Sequence, residues 1–563
     1  MTSSPSRTPS IVVKSAALTL AAALSACGGG GGGGGGGGYA PAATAEPVKT
    51  TSGSSPLKVS CSGCSAIDDS TYAGAGTGIW QAPNASTVPV DVPLAISGLN
   101  GQSVTLVFTN ESSTAEALSG LVVRSSSEIA TTVNKASVAA PHDEDDAAKA
   151  AIREFNRAGF GKLLDPQAKV APGVMKSIAP SAAYVVSDQR SVYLYDYSQR
   201  TVQLAAQRTT SDGTTVNLWV ETGERDAARV SDALATRMLD KFAASGGIYD
   251  LLVRVGGPLW GEHGMSQLLP GTGEPLDIFI VNFKPDHQPY GLVGYFWGLN
   301  NFRKGSGDLA YSNESLSLYL DSESLYLDGE AGVKQIATVM AHEGMHMQNF
   351  YRRGVKMGSD FTYDTWLEEM SALMMEDWAS FNIDPSHNAI RDSRYPYYLN
   401  YNGAGSYNCS LTDWTPMAAS CESYAVTGSF GGFLNRQLGL NFYKALLTST
   451  GVTNSAEMLD RAIRSQRPDS GIGQELRRFT AASAGTIPLG ANIPGYSMPA
   501  RSEDVFTLPA IDPASLGSRK LPQSAPAMLQ ALASFPVVRS NVVGTYSETV
   551  RVPPGTTLSV VIN

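Results

Sequence analysis

His342, Glu343 and His346 stand in the order His-Glu-x-x-His within residues 341–346. On a helix, residues four apart lie one turn above each other on one face, so the two imidazoles can take hold of one divalent ion. Glu343 is turned about 100° around the same helix and can reach a water on that ion without being a ligand itself. The spelling is informative because the chain holds only six His in 563 residues. Such a composition produces the pattern by chance about once in several hundred chains. The competing reading is a pair of solvent-facing histidines on an ordinary helix, and a third ligand decides between the two.

Beyond a Gly/Ser turn at 354–359, residues 365–378 (TWLEEMSALMMEDW) read as a second helix of heavy apolar content. Three glutamates on such a helix are costly to bury without partners, and a cation against their face would account for them. Glu369 and Glu376 are seven apart and share a face, while Glu368 is rotated away from that line. Together, HEGMH and WLEEMSALMME resemble the gluzincin pattern of His-Glu-x-x-His followed by Trp-Leu-x-Glu-x-x-Ala-x-x-x-Glu. The resemblance implies that Glu369 is the third metal ligand and that Glu376 orients a metal-bound histidine. The 22 residues between His346 and Glu369 fall in the range such enzymes use. Within that clan the chain is most similar to the hyicolysin-type neutral metallopeptidases, over about residues 190–445. The similarity rests on DIFIVNF, VGYFWG, LYLDSES, AHEGMHMQNF, TWLEEMSALMMED and GSFGGFLNRQLG. A departure is Glu368, where these families often carry Asn, so two adjacent glutamates stand as ligand candidates and the match favours Glu369. A metzincin spelling fails, because it needs Gly at 349 and His at 352 where the chain has Asn349 and Arg352.

The resemblance therefore implies a zinc endopeptidase with one Zn²⁺ on His342, His346 and Glu369 and a fourth position left for water. Glu343 is then the general base. An oxyanion donor is also needed; Tyr424, just before GSFGGF, and His387, after the second helix, are candidates, each with a plain structural alternative. Two rival functions stay open: a non-catalytic surface lipoprotein that binds through a metallopeptidase scaffold, and a zinc hydrolase acting on cell-wall peptides. Other conspicuous features read as structure. The tyrosines of 395–401 and the methionines of the two helices read as packing, and Gly428–Gly432 lets a helix pack closely. Asp321, Glu323 and Asp328 do not have the spacing of an EF-hand loop.

The elements that must hold these residues follow from periodicity. Residues 184–197, 200–208, 215–221, 277–283 and 315–320 read as strands, with 277–283 continuous enough to be central. Residues 227–244 form an amphipathic helix, and the motif helix runs from about 330 to 353 with Gly354 as its terminator. The expected class is α+β: a zincin-like domain over 140–482, with a twisted sheet above the motif helix and then a helical lobe. The strand at 315–320, just before the motif helix, is expected to be the edge along which a peptide lies. Flanking it, 56–135 is expected to be a small β-sandwich built on runs at 88–96, 103–108 and 118–124, and 483–563 a C-terminal β region, either separate or a partner of the first. His142 and the acidic residues 143–146 read as a solvated helix start.

The first residues form an address. Arg7 and Lys14 precede an apolar run at 15–24 that is too short to span a bilayer comfortably, and the Leu-Ser-Ala-Cys at 24–27 resembles a bacterial lipobox. Residues 1–26 are then a lipoprotein signal peptide and Cys27 carries lipid; an ordinary secretory leader would export the chain equally. Residues 27–55, with uninterrupted glycine from 28 to 38, read as a flexible tether. Gly at 28 rather than Asp suggests the outer membrane or cell surface. Export permits disulfides: Cys409–Cys421 would close a short loop, stabilising by about 2–3 kcal/mol, and Cys61 and Cys64 are close enough for a tight bridge. The formal net charge of −10 gives no broad basic surface for nucleic acid. The expected partners are a peptide or protein substrate and a membrane reached through the lipid.

Overall fold

The structure is a computed structural model that describes residues 56–121, 123, 143–164, 184–516 and 519–563. The expected signal peptide at 1–26, Cys27, the expected tether at 27–55 and His142 lie outside the described residues. Six strands come first: β1 (Lys58–Val59), β2 (Ala66–Asp68), β3 (Thr71–Tyr72), β4 (Gly78–Asn84), β5 (Val90–Asn110) and β6 (Glu116–Ala117). The runs expected as separate strands at 88–96 and 103–108 are one. β5 passes through Gly98 and Gly101 at φ of 92° and 94°, a backbone region open mainly to glycine, so the strand bends there instead of ending.

After helix α1 (Asp143–Arg157) the central sheet is laid down by β7 (Gln189–Tyr193), β8 (Gln199–Thr209), β9 (Thr215–Glu221), β10 (Leu276–Val281), β11 (Gly294–Phe296) and β12 (Leu316–Asp321), in the spatial order β11-β12-β10-β9-β8-β7. β9, β10 and β12 run parallel, with Leu276 opposite both Val216 and Leu316. Every residue of β10 and β12 is buried, as expected of parallel strands covered on both faces. The buried Asp277 in this layer is satisfied by the Asn217 amide and Trp219 indole N–H groups at 2.9 Å and the Ser315 hydroxyl at 2.6 Å. The 315–320 run is not the edge expected of it. The chain leaving β10 returns as β11, antiparallel to β12 with Phe296 opposite Leu318, so β12 is interior and β11 is the edge strand.

Helices α2 (Asp232–Ala243) and α3 (Ile248–Gly256) precede β10; α4 (Ser322–Tyr326) and α5 (Gly329–Asn349) follow β12; α6 (Thr365–Ile383), α7 (Tyr395–Asn400), α8 (Ser423–Thr448), α9 (Ser455–Gln466) and α10 (Ile472–Ala484) make the helical lobe. Asp321 caps α4 by accepting from the Ser324 N–H at 2.6 Å, a short-range job that explains this carboxylate. α5 lies under the sheet, with Ile336 and Met340 in one core with Ile278, Ile280, Leu318 and Leu320. It approaches α4 so closely that a Cβ on Gly332 would stand 2.7 Å from the Leu325 carbonyl oxygen. Gly354 does not terminate this helix. A π-helical turn, Phe350–Val355, carries it onward, and Gly354 is there because a Cβ would meet the Phe160 ring at 2.8 Å. Among the described residues no helix is long and apolar enough to cross a membrane.

Strands β13 (Arg501–Glu503), β14 (Phe506–Leu508), β15 (Met528–Leu529), β16 (Ser534–Val552) and β17 (Thr556–Ile562) end the chain. β16 pairs along almost the whole of β5, from Ser534 opposite Thr109 to Val552 opposite Val90. β17 enters between β4 and β5, antiparallel to both. The N- and C-terminal β regions therefore share one seven-stranded sheet: of the two arrangements expected for the C-terminal region it is the partner, and the small N-terminal sandwich does not form by itself. The reason is edge satisfaction: β4 and β5 each need a neighbour for their backbone groups, and β17 supplies both. α10 packs on this sheet, with the Thr480 and Thr109 hydroxyls at 2.8 Å.

α6 is fixed to α8 by a fully buried ion pair. Arg436 Nη1 lies 2.8 Å from Asp377 Oδ2, and neither side chain has any exposure. Asn435 and Asn388 donate to the same carboxylate at 3.1 and 2.9 Å. Removing one partner strands a buried charge. Arg436→Met is expected to destabilise the protein by about 3–5 kcal/mol, read as a lower denaturant midpoint; an unchanged midpoint would contradict this role.

Candidate metal centre

α5 and α6 lie side by side, and the site is built where they meet. His342 and His346 project from one face of α5 with ring centroids 4.6 Å apart. The Glu369 carboxylate enters from α6: its Oε2 is 3.2 Å from His342 Nε2 and 3.7 Å from His346 Nε2. Donor atoms of the three residues all fall within 4.8 Å of one another. Donors on a tetrahedral zinc are roughly 3.4 Å apart, so two imidazoles and one carboxylate fit such an ion in both type and spacing.

The outer nitrogen of each ring is also engaged. His342 Nδ1 meets Glu376 Oε1 at 2.8 Å, and His346 Nδ1 meets Glu368 Oε1 at 2.8 Å. A ring N–H given to a carboxylate fixes the tautomer and turns Nε2 toward the centre. Glu368, one residue before Glu369, thus faces the outside of His346 while Glu369 faces the inside of both rings. Glu376 is backed by Arg394 Nη2 at 3.4 Å, and Glu369 Oε1 by Arg153 Nη1 at 3.6 Å.

Electrostatics follow from this packing. Burial would lower the His342 imidazole, but hydrogen bonds to Glu369 and Glu376 raise its pKa to about 10. His346 is raised against the same burial cost by its bond to Glu368. Burial would raise Glu376, yet Arg394 and His342 hold it below the usual carboxylate range. Burial and the Glu369 charge push the Tyr424 phenol far up, opposed by Arg153 and Arg394.

Glu343 is buried on the same helix as His342 and His346. Its Oε2 accepts the Phe296 backbone N–H at 2.8 Å, which ties it to the edge strand β11. Tyr424, at the start of α8, lines the same cavity of about 1870 Å³ as His342, Glu343 and His346. Its hydroxyl accepts from Arg153 at 3.4 Å. His387 also lines this cavity, but its ring is paired with Asp392, Nδ1 to Oδ2 at 3.4 Å. Cys409 is bridged to Cys421, and Cys61 to Cys64.

Several contributors escape sequence reasoning. Arg153 and Arg394 lie on separate elements, and no spacing rule ties either to the motif. The edge-strand N–H of Phe296 belongs to the backbone and carries no residue signature. Glu368 had a usable signal: two histidines facing one ion each need a partner on the outer nitrogen, and α6 offers one carboxylate more than Glu369 and Glu376.

A family model described as peptidase M30 matches residues 196–563. The chain belongs to the peptidase M30 family. A second model, a domain of unknown function (DUF8571), matches residues 59–123. The neutral metalloprotease ShpI of Staphylococcus hyicus is 25% identical over 228 residues, 37% of this chain and 48% of that protein. The chain thus matches about half the length of this curated relative. The M30 match takes in the whole motif pair and β11, and it leaves α1 outside.

Two outcomes follow from the geometry. In protein stripped of metal by a chelator, His342 is protonated in the fold well above its ordinary value near 6.5. That contribution to stability is present in full below about pH 6.5 and is lost as pH rises through about 10. The melting temperature of stripped protein is expected to fall across that window, and a flat profile would count against the Glu369–His342–Glu376 pairing. Glu376→Gln is expected to weaken metal binding by about 10–100-fold, measured by competition with a chromophoric chelator.

Proposed function

We propose that the protein is a zinc-dependent endopeptidase in which His342, His346 and Glu369 hold one Zn²⁺ and Glu343 is the general base. The observation that carries this reading is the convergence of three donors with both outer ring nitrogens bonded to carboxylates. Membership of the peptidase M30 family and the printed name of the relative as a metalloprotease support it. When bound, a zinc ion supplies Lewis acidity, which lowers the pKa of water toward neutrality and polarises a carbonyl.

The chain's own residues do the rest. An extended peptide lies in the cavity beside β11, whose Phe296 N–H and C=O are already taken by Glu343 and Asn156. Glu343, oriented by the Phe296 N–H, takes the proton of the attacking water at its carboxylate and passes it to the departing amine. The Tyr424 hydroxyl donates to the oxygen of the scissile carbonyl as negative charge develops there. Glu376 and Glu368 keep the two rings in their metal-facing tautomer. His387, paired with Asp392, has no part in these steps.

We further propose that the protein is exported and lipid-anchored through Cys27, with the glycine run as tether. The lipobox-like 24–27 and the two disulfides support an oxidising, extracytoplasmic address.

Glu343→Ala is expected to lower hydrolysis of casein by about 10²–10⁴-fold while zinc, measured by atomic spectroscopy, stays stoichiometric. Turnover near that of the parent would refute the assigned base. Glu369→Ala is expected to lose zinc far more than Glu368→Ala; equal loss would overturn the choice of ligand.

A further inference from the structure

Helix α1 lies between the two stretches that family models match, 59–123 and 196–563, yet it forms one wall of the cavity over the metal centre. Three side chains hold it there. The Asn156 side chain donates to the Phe296 carbonyl and accepts the Gly298 N–H, both at 2.8 Å, and so grips the end of the edge strand β11 as a peptide group would. Phe155 stacks edge-on against Trp297 and Phe302 at 6.2 and 6.3 Å, and Phe160, just after the helix, seats on Phe350 at 4.8 Å. One turn before Asn156, Arg153 reaches inward.

Arg153 Nη1 stands 3.4 Å from the Tyr424 hydroxyl and 3.6 Å from Glu369 Oε1. A guanidinium has donors and no acceptor. The Tyr424 oxygen must therefore receive from Arg153, and the phenol's own hydrogen must point elsewhere. The ring has little freedom to respond by swinging. Trp414 meets it edge-on at 4.8 Å, and the Arg394 guanidinium stands 5.4 Å over its face. The same Arg153 contact takes up Glu369 Oε1 and leaves Oε2 for the two histidines.

We infer that Arg153 is a positioning residue for the reaction: it fixes the Tyr424 hydroxyl as a donor aimed into the cavity, toward the substrate oxygen. This rests on the endopeptidase reading above. It adds that α1, a segment outside the M30 match, completes the active site and does not merely wall it.

The test is a double-mutant cycle on the zinc-loaded full chain with Arg153→Ala, Tyr424→Phe and the pair. It is read three ways: kcat per bound zinc, KM, and affinity for a phosphinic peptide that mimics the tetrahedral oxyanion. Tyr424→Phe is expected to lower kcat per zinc by about 10²–10³-fold with KM within about twofold. Arg153→Ala should lower it by at least about tenfold, and the pair should be no worse than Tyr424→Phe alone, because the two act as one unit. Phosphinic-peptide affinity should fall in the same non-additive way, and Arg153→Lys should recover part of both. Losses that add would overturn the inference. So would an Arg153→Ala variant that loses zinc but keeps its kcat per zinc, or one that turns over faster, since then α1 only supports a ligand or obstructs the cleft. The Glu343→Ala result stands apart from this cycle, so either proposal can fail alone.

Discussion

Two imidazoles and four carboxylates share one mostly buried space where α5 and α6 lie side by side, and this crowding of charge constrains the packing around it. Ionised groups removed from water are tolerated only when each has an opposite charge and a hydrogen-bond donor in reach. Three of the four carboxylates do: Glu376 has His342 and Arg394, Glu368 has His346 and Asn349, and Glu369 has both inner nitrogens and Arg153, while Glu343 is held by a backbone N–H. A shift of either helix along the other would break several of these contacts at once. The devices that fix the helices read as consequences of that demand: the bare Gly332 that lets α5 press on α4, and the Asp377–Arg436 pair that locks α6 to α8.

The link between Glu343 and Phe296 joins two functions that could have been separate. The residue assigned to proton transfer and the strand assigned to substrate alignment are connected by one 2.8 Å bond. Under the proposed function, a peptide lying beside β11 is set against Glu343 by that same bond. The continuous burial of β10 and β12 matters for the same reason, because a rigid sheet is the reference against which that register is held.

What the sequence showed plainly was whatever depends on local periodicity. The helical spacing of His342 and His346, the shared face of Glu369 and Glu376, and the buried run at 277–283 could all be read from neighbours along the chain. What it hid depends on residues far apart. Nothing local says that the chain after β10 doubles back and takes the edge from β12, because that is set by the Gly294–Phe296 register against Leu320–Leu318. The glycines at 98 and 101 look like strand breakers, and only the long partner β16 makes one bent strand of them. Gly354 looked like a helix stop and is a seat for Phe160. Arg153 carries no motif, and only the docking of α1 on Phe296 and Gly298 brings it to Glu369.

The position of β17 between β4 and β5 bears on how the polypeptide reaches its native state. These N-terminal strands leave the ribosome first, but their shared neighbour lies more than four hundred residues later in the chain. Contacts of such sequence separation form slowly, so that sheet closes only after synthesis of its last strand. Under the export proposed above, a chain that crosses a membrane unfolded loses nothing by this arrangement. Its central enzyme layer, made of strands much nearer in sequence, is free to assemble while the two ends are still finding each other.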